Sequence, residues 1–222
     1  MADSKNNSND KNGLDAVPKA VVARLSLYLR ELQQVFNSGK ETISSRFLGQ
    51  RLGITDAQVR KDFTYFGQFG YPGIGYRCEE LIDEIKKILG TDKVWPVALI
   101  GCGNLGSALL GYRGFGKQGF EVVAAFDVAG ELIGRKIGDL TIRHINQLPD
   151  WVEREQIFLA ILAVPAAAAN QALEVIVQSG ISGILNFAPV TLSVPKHVQV
   201  VGVDLAIELE QLAFGVANFD PK

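Results

Sequence analysis

Hydrophobic residues recur at helical spacing in the first third of the chain and form short uninterrupted runs in the remainder. Between residues 18 and 90 the apolar positions return every three or four residues, which predicts amphipathic helices. From residue 95 onward, apolar runs such as IFLAILAV alternate with helical stretches, which is typical of a parallel sheet with crossover helices. The pattern predicts an α/β chain in which a helical N-terminal domain precedes a doubly wound parallel sheet.

Changes in composition predict the domain boundaries. Residues 1–17 are rich in Asn, Asp, Ser and Lys and have almost no apolar anchor, so we expect a disordered tail. We assign residues 18–90 to the N-terminal domain, residues 91–203 to the α/β domain, and residues 204–222 to a terminal segment with an amphipathic helix over residues 205–217. Within the α/β domain we expect RGFGKQG to be an irregular loop, KIGDLTIRHI a peripheral strand and INQLPDWVER a short helix.

The N-terminal domain has the pattern of a helix-turn-helix. A long helix over residues 18–37 precedes a short one over residues 45–52, and a third helix is expected over residues 56–66. Thr55 and Gln58 have the spacing of a capping box at the start of that third helix. In a helix-turn-helix the last helix enters the major groove of DNA.

The two faces of the third helix differ in chemistry. At about 100° per residue, Val59, Phe63 and Phe66 share one side and are predicted to be core. The opposite side is cationic and rich in hydrogen-bond donors; Arg suits guanine edges, Gln suits adenine edges, and Lys and Thr more often hold phosphate. The candidate DNA contacts at this helix are Thr55, Gln58, Arg60, Lys61, Thr64 and Tyr65.

The segment QFGYPGIGYR after the third helix alternates aromatic residues with glycine and contains a Pro-Gly turn signal. We interpret it as a β-hairpin wing whose Tyr71 and Arg77 are candidates for phosphate or minor-groove contact. Between Pro18 and Cys78 nine Lys or Arg stand against four acids, whereas the whole chain has a net charge of −2. A basic module commonly binds phosphate; the alternatives are a solvated helix face and a small helical domain that binds protein.

A glycine-rich bend opens the α/β domain. Val97–Ile100 is a short apolar run that suits a buried parallel strand, and Gly101, Gly103 and Gly106 follow it as G-x-G-x-x-G. The first glycine permits a tight turn, the second lets backbone approach a pyrophosphate, and the third lets helix pack on strand. We therefore assign the whole loop, with Cys102, Asn104 and Leu105, to dinucleotide binding.

Asp127 ends the next strand pattern, EVVAAFD, close to the separation expected for the carboxylate that accepts the adenosine ribose hydroxyls. That carboxylate should repel a 2′-phosphate and favour NAD over NADP, although Arg135 and Lys136 lie near enough in sequence to weaken the preference. The alternative interpretation is that the glycine loop is an ordinary strand-to-helix turn and that Asp127 is a solvated residue without a binding role.

Composition excludes several classes of protein. At 47% hydrophobic and 21% charged residues, with no membrane-length apolar run and no signal-peptide core, a cytoplasmic globular protein is expected.

Cys78 and Cys102 have no metal-ligand spacing, so no metal is expected; Cys102 is either a thiol sensor or a small side chain in a crowded bend. His144 and His197 both lie beside turns and are interpreted as surface residues, so no catalytic residue is assigned.

Several strings in the right order carry a resemblance to a known family: VRKDFTYFG, the glycine-rich wing, GCGNLG, YRGFG and NFAPV. Together they resemble the Rex family of redox-sensing transcriptional repressors over nearly the whole of residues 18–219. The resemblance implies a homodimer whose winged helices bind a palindromic operator in double-stranded DNA, and whose Rossmann domains bind NADH or NAD+. It also implies that the C-terminal helix is exchanged between subunits and that NADH closes the dimer and releases DNA.

The resemblance further implies that a Tyr, an Arg and an Asp link the cofactor pocket, the first helix and the exchanged helix. They fall on Tyr112, Arg30 and Asp204. Some members of the family have an aromatic residue after that Asp, beside the nicotinamide, where this chain has Leu205. Because this chain lacks that aromatic residue, we expect Phe187 or Pro189 to make more of the contact with the nicotinamide.

NADH and NAD+ differ only at the nicotinamide, so a sensor must discriminate there. A mostly apolar lining penalises the NAD+ cation by desolvation and admits the neutral ring. The candidate lining comprises Val164, Pro165, Phe187 and Ala188, and the adjoining Asn186 and Pro189 are also assigned to cofactor binding. The alternatives to a repressor are a small NAD-dependent oxidoreductase and a coenzyme A-binding domain fused to a helical module.

Overall fold

The computed structural model describes residues 17–218 and divides into two compact units, one ending at Lys93 and the other beginning at Val94. The predicted tail falls almost entirely on residues 1–16, outside the described residues, as do residues 219–222.

Residues 17–93, the described part of the N-terminal unit, contain four helices and a two-stranded sheet. Its elements are α1 (Lys19–Asn37), β1 (Thr42–Ile43), α2 (Ser45–Leu52), α3 (Asp56–Thr64), β2 (Tyr76–Arg77) and α4 (Cys78–Leu89). The apolar stripe of α1 packs in one core with Val59 and Phe63 of α3, as the face analysis predicted. The helix-turn-helix prediction is confirmed.

Local sequence sets the ends of α2 and α3. The Ser44 hydroxyl accepts the Phe47 N–H, and Gly53 ends α2 at φ +67°, a left-handed conformation that glycine adopts without steric cost. Thr55 accepts the Gln58 N–H. The predicted end of α3 at residue 66 was wrong, since the helix ends at Thr64. The N–H groups of Tyr65 and Phe66 donate to carbonyls three positions earlier, which tightens the chain into a 3-10 turn there.

The wing is present, but its pairing differs from a self-contained hairpin. Its turn is closed by a bridge between Tyr71 and Gly75. The strand that follows, β2, pairs antiparallel with β1, with Ile43 opposite Tyr76. The wing is therefore attached to the chain between α1 and α2.

Over residues 94–218 the C-terminal unit forms a seven-stranded sheet of order β5-β6-β4-β3-β7-β8-β9, which is parallel except for β5. Its strands are β3 (Trp95–Ile100), β4 (Phe120–Asp127), β5 (Lys136–Ile137), β6 (Leu140–His144), β7 (Leu159–Leu162), β8 (Gly183–Asn186) and β9 (Gln199–Gly202). Its helices are α5 (Asn104–Leu110), α6 (Gly114–Lys117), α7 (Leu148–Glu155), α8 (Ala166–Gln178) and α9 (Leu205–Ala217). The predicted doubly wound sheet is confirmed.

Two local expectations in this unit were wrong, whereas the predicted short helix over residues 145–154 was confirmed. The segment predicted as one peripheral strand is the hairpin β5–β6, since Gly138 at φ +59° permits a tight turn. The expected loop after Tyr112 contains the short helix α6, and a 3-10 turn over Ile145–Gln147 precedes α7.

Helix α9 differs from the other helices of its unit. Every residue from 205 to 217 is exposed, and the exposed fractions of Leu209, Phe214 and Val216 are 66%, 72% and 70%. Isolated helices of this length are marginal in water. An apolar helix of this kind is typical of a segment that packs against another surface.

Candidate nucleotide site and nucleic-acid interface

The glycine loop follows β3, in the middle of the parallel sheet. Gly101 has φ +94°, and a Cβ at Gly106 would overlap the Gly101 carbonyl oxygen. A Cβ at Gly103 would meet only open space. The first and third glycines therefore hold the bend against the sheet and α5, while the second leaves the exposed backbone approachable, as pyrophosphate binding requires.

Asp127 joins the glycine loop to the end of β4. One carboxylate oxygen accepts the Cys102 N–H at 2.7 Å. The other accepts the N–H groups of Val128 at 2.7 Å and Ala129 at 2.9 Å. An ionised carboxylate has about four acceptor positions, so this one is fixed in place and retains capacity for a ribose hydroxyl.

Cys102 is buried at the centre of that loop. Its thiol donates to the Phe126 carbonyl at 3.5 Å, and burial, with the nearby charge of Asp127, raises the thiol pKa to about 12. A protonated thiol is a poor nucleophile. The structure favours the small-side-chain interpretation over the thiol sensor.

A cavity of about 330 Å³ lies beside the loop. It is lined by Ile100, Gly101, Asp127, Val128, His144, Ile145, Asn146, Val164, Ala168, Gln171, Ala172 and Val175. The predicted residues Gly101, Asp127 and Val164 meet there. The position, at the carboxyl ends of parallel strands, is where α/β sheets bind ligands.

His144 was interpreted as a surface residue, and that interpretation was wrong. It is half-buried, lies opposite Asp127 in the β4–β6 register and lines the cavity. Its Nδ1 accepts the Asn146 N–H at 3.2 Å, which leaves Nε2 as the donor. The sequence offered one signal for this proximity, because Asp127 and His144 each lie at the end of a predicted strand. His197, by contrast, is exposed.

The structure does not bring the candidate nicotinamide lining together at one place. Asn186, Ala188 and Pro189 line a second cavity of about 560 Å³. The Asn186 amide donates to the Ala188 and Val190 carbonyls and its oxygen accepts the Ala188 N–H, so this side chain shapes the loop after β8. Phe187 packs against the core on the other face of the sheet, and Pro165 is exposed.

The remaining predicted cofactor and switch residues lie on the surface. Asn104 and Leu105, at the start of α5, are exposed. Tyr112 is 57% exposed, with its ring edge-on to Phe115 at 5.0 Å. Asp204 caps α9 through the Ala206 and Ile207 N–H groups. Arg30 is exposed on α1 in the N-terminal unit. Their joint role stays a prediction.

On α3, the predicted outer face is solvent-accessible. Arg60, Lys61, Thr64 and Tyr65 are exposed, as is Thr55 at the cap, whereas Gln58 is half-buried. Arg60 donates to Asp56 at 2.8 Å and to the Ser45 hydroxyl at 3.1 Å, and Thr64 donates to the Lys61 carbonyl. The helix presents cationic and hydroxyl groups to solvent.

Asp62 is a residue that sequence reasoning missed. It is wholly buried on α3, where Arg24 donates to both carboxylate oxygens, at 2.5 and 2.8 Å. The Tyr28 hydroxyl donates to it at 2.7 Å. Burial opposes its ionisation, but the hydrogen bonds from Arg24, Tyr28 and Gln58 hold the pKa of Asp62 below its ordinary value. The cluster anchors α3 to α1.

In the wing, Tyr71 and Arg77 form one cluster. The guanidinium lies 5.0 Å from the tyrosine ring centroid. Both side chains donate to Glu80, at 3.1 Å from Tyr71 and 3.0 Å from Arg77. The two predicted contact residues are therefore brought together on one exposed surface.

Residues 17–218 contain neither a cluster suited to a metal ion nor a membrane-spanning helix. No group of three or more His, Cys, Asp or Glu is arranged to hold a metal ion in this part of the chain. Within the same range, no helix combines the length and apolar character needed to span a bilayer.

Two family models match the chain. The model described as "Putative DNA-binding protein N-terminus" covers residues 16–64. The model described as "CoA binding domain" covers residues 92–190. The two matches fall in the two units of the structure.

Full-length relatives match both units at once. A "Redox-sensing transcriptional repressor Rex" of Carboxydothermus hydrogenoformans is 44% identical over 200 residues, which is 90% of this chain and 96% of the relative. A repressor of the same name from Pelotomaculum thermopropionicum is 43% identical, covering 91% of this chain and 95% of the relative.

Solved structures agree with these relatives. RSP in complex with β-NAD+ and operator DNA has a TM-score of 0.85 at 37% identity, covering 90% of this chain and 92% of that one. RSP in complex with β-NADH has a TM-score of 0.82 at 35% identity, covering 90% and 94%.

Proposed function

The chain belongs to the Rex family of redox-sensing transcriptional repressors, and we propose that it represses transcription by binding operator DNA until NADH releases it. The observation that carries this proposal is the presence, in one chain, of a glycine loop fixed by Asp127 and a helix-turn-helix with an exposed cationic face. The first feature suits a dinucleotide and the second suits DNA.

The residues of the C-terminal unit fit an NAD cofactor. Gly103 leaves room for a pyrophosphate, and Asp127 retains acceptor capacity for the adenosine ribose. The nicotinamide would lie towards the residues that follow β7, which is the neighbour of β3 in the sheet, and those that follow β8, which is the next strand along. Val164 and Ala188 supply apolar surface there, which disfavours the NAD+ cation by desolvation. The bound nicotinamide acts as a redox signal whose charge is sensed.

We infer a homodimer in which α9 packs on the partner subunit. The support is the exposure of Leu209, Leu212, Phe214 and their apolar neighbours along the whole helix, which costs free energy unless another surface covers them. Tyr112, Arg30 and Asp204 would relay cofactor binding to this assembly. In the absence of DNA, the double variant Leu209→Ser/Phe214→Ser should sediment as a monomer where the unaltered protein sediments as a dimer; a dimeric variant would contradict the exchange.

The decisive experiment is a DNA-binding titration with genomic fragments at fixed salt, with and without NADH. Wild-type protein should retain a fragment with an inverted repeat and release it when NADH, but not an equal concentration of NAD+, is added. A ligand shifts DNA affinity only by its differential binding to two arrangements, so NADH must also bind less tightly when the fragment is present.

Variants on the outer face of α3 separate DNA binding from cofactor binding. Arg60→Ala/Lys61→Ala should abolish retention of the fragment and leave NADH affinity unchanged. Lys86→Ala/Lys87→Ala on α4 removes the same charge from the same unit and serves as the control. Loss of both activities in the first variant would mean that the wrong helix has been assigned to DNA or that the unit is unfolded.

Coenzyme A is a second candidate ligand, because the family model over residues 92–190 carries that description. Coenzyme A has a phosphorylated ribose, which the Asp127 carboxylate should repel. We expect NADH to displace any bound coenzyme A. We also expect NADH to be bound without being consumed; steady oxidation with a small carbonyl compound would favour an oxidoreductase.

A further inference from the structure

Gln58 does not point its amide freely into solvent. Its Nε2 donates to Asp62 Oδ1 at 2.7 Å, one turn along the same helix. Asp62 is held in turn by Arg24 and Tyr28 of α1. The half-buried glutamine on the face assigned to DNA is therefore connected to a wholly buried carboxylate.

This contact fixes which end of the amide faces outward. An ionised carboxylate accepts hydrogen bonds and cannot donate them, so only the nitrogen end of the Gln58 amide can face Asp62. The carbonyl oxygen must face away. A glutamine without such a partner can turn its amide by half a rotation at little cost and present either end.

We propose that Asp62 is a positioning residue that fixes the Gln58 amide so that Gln58 selects adenine in the DNA site. The inference rests on the proposed DNA-binding function. The fixed amide offers a carbonyl acceptor together with its second N–H. Adenine presents the complementary pair, the N6 amine and N7, whereas guanine presents two acceptors, O6 and N7, in the major groove.

The test begins with the sequence that the wild-type protein selects. Full-length protein without NADH is used to enrich duplexes from a pool with a randomised core, and affinities are then measured for single-position changes. At one position per half-site, adenine should be preferred over guanine by about five- to 150-fold, the range of one good bidentate base contact. Replacing that adenine by purine, which lacks the N6 amine, should cost a similar factor.

Two variants separate the reader from the residue that positions it. Gln58→Met keeps the side chain's length, leaves Asp62 bound by Arg24 and Tyr28, and should lose the preference altogether. Asp62→Asn removes the constraint on the amide and should lower the adenine-to-guanine discrimination to about twofold. A merely structural loss would weaken binding to all duplexes equally and leave this ratio unchanged.

Glu31→Gln is the matched control for Asp62→Asn. Glu31 is also buried and pairs with an arginine, Arg51, within the same unit, but no contact joins that pair to Gln58 in the described part of the chain. The control should keep the base preference whatever its effect on stability. Thermal unfolding of each variant establishes which of them fold.

A measurement on the wild-type protein covers the case in which Asp62→Asn fails to fold. In NMR spectra, one of the two Gln58 side-chain amide protons should exchange slowly with solvent, since it is bonded to a buried oxygen. Two rapidly exchanging protons would overturn the inference, as would unchanged discrimination in a folded Asp62→Asn variant. Either result leaves the repressor function standing, whereas a wild-type protein that selects no duplex overturns both.

Discussion

Replacing Asp127 by Asn tests the nucleotide site at the residue that organises it. The carboxylate accepts N–H groups from Cys102, Val128 and Ala129. An amide has only one acceptor oxygen, so at least one of these N–H groups must face an NH₂ group. A hydrogen bond to a charged group contributes about 1.5–3 kcal/mol. We therefore expect Asp127→Asn to destabilise the C-terminal unit by about 2–3 kcal/mol.

The cofactor should be affected by the same change through a second contact. The carboxylate oxygens that would accept ribose hydroxyls are replaced by a neutral amide, and losing one charge-assisted bond of about 1.5–3 kcal/mol corresponds to about ten- to hundredfold weaker NADH binding. Affinity for NADPH should fall less, because the repulsion of its 2′-phosphate is removed as well.

The assay combines urea unfolding with an NADH titration. Both tryptophans of the chain, Trp95 and Trp151, belong to the C-terminal unit, so intrinsic fluorescence reports its unfolding. Asp139→Asn, an exposed change in the β5–β6 turn, is the control and should alter neither property. If Asp127→Asn bound NADH within twofold of wild type, the assignment of the ribose to this carboxylate would be refuted.

Further outcomes follow from four individual residues. With its thiol pKa raised to about 12 by burial and Asp127, Cys102 should resist iodoacetamide at neutral pH in the folded protein and react once urea unfolds it. The pKa of Asp62 is lowered in the folded state, so its contribution to stability is fully present above the pKa of the unfolded chain, about 4. This contribution should be lost as the pH falls through the lower pKa of the folded state. Circular dichroism during an acid titration would detect the loss. Gly106→Ala should destabilise the C-terminal unit by about 1–3 kcal/mol, since its Cβ would overlap the Gly101 carbonyl, whereas Gly103→Ala should keep stability and weaken NADH binding.

Sequence predicted the features that depend on local chemistry. The glycine loop and Asp127 were found because backbone conformation and strand ends impose residue types at fixed spacing. The cap at Thr55 was found for the same reason. The doubly wound parallel sheet was predicted because apolar runs alternate with helices along the chain.

Features that depend on distant partners were missed. Asp62 lies 38 and 34 positions from Arg24 and Tyr28, and an acid on a helix is ordinarily solvated, so no local pattern indicates its burial. Strand β1 has only two residues, too few for a periodicity. The Gly138-Asp pair inside the predicted peripheral strand was a usable hairpin signal.

The acidic residues beside the predicted DNA contacts differ in whether a DNA phosphate can displace them from their partners. Arg60 with Asp56, and Arg77 with Glu80, are exposed pairs, and exposed ion pairs contribute little to stability. A phosphate can therefore replace either acid at small cost, and each arginine should add about one unit to the salt dependence of binding. Asp62 is buried, and separating it from its partners would leave an uncompensated charge at a cost of about 3–5 kcal/mol. The contact between Asp62 and Gln58 should consequently persist when DNA binds. The salt dependence of DNA binding then measures the contribution of Arg60 and Arg77, whereas the preference for adenine measures the contribution of Gln58.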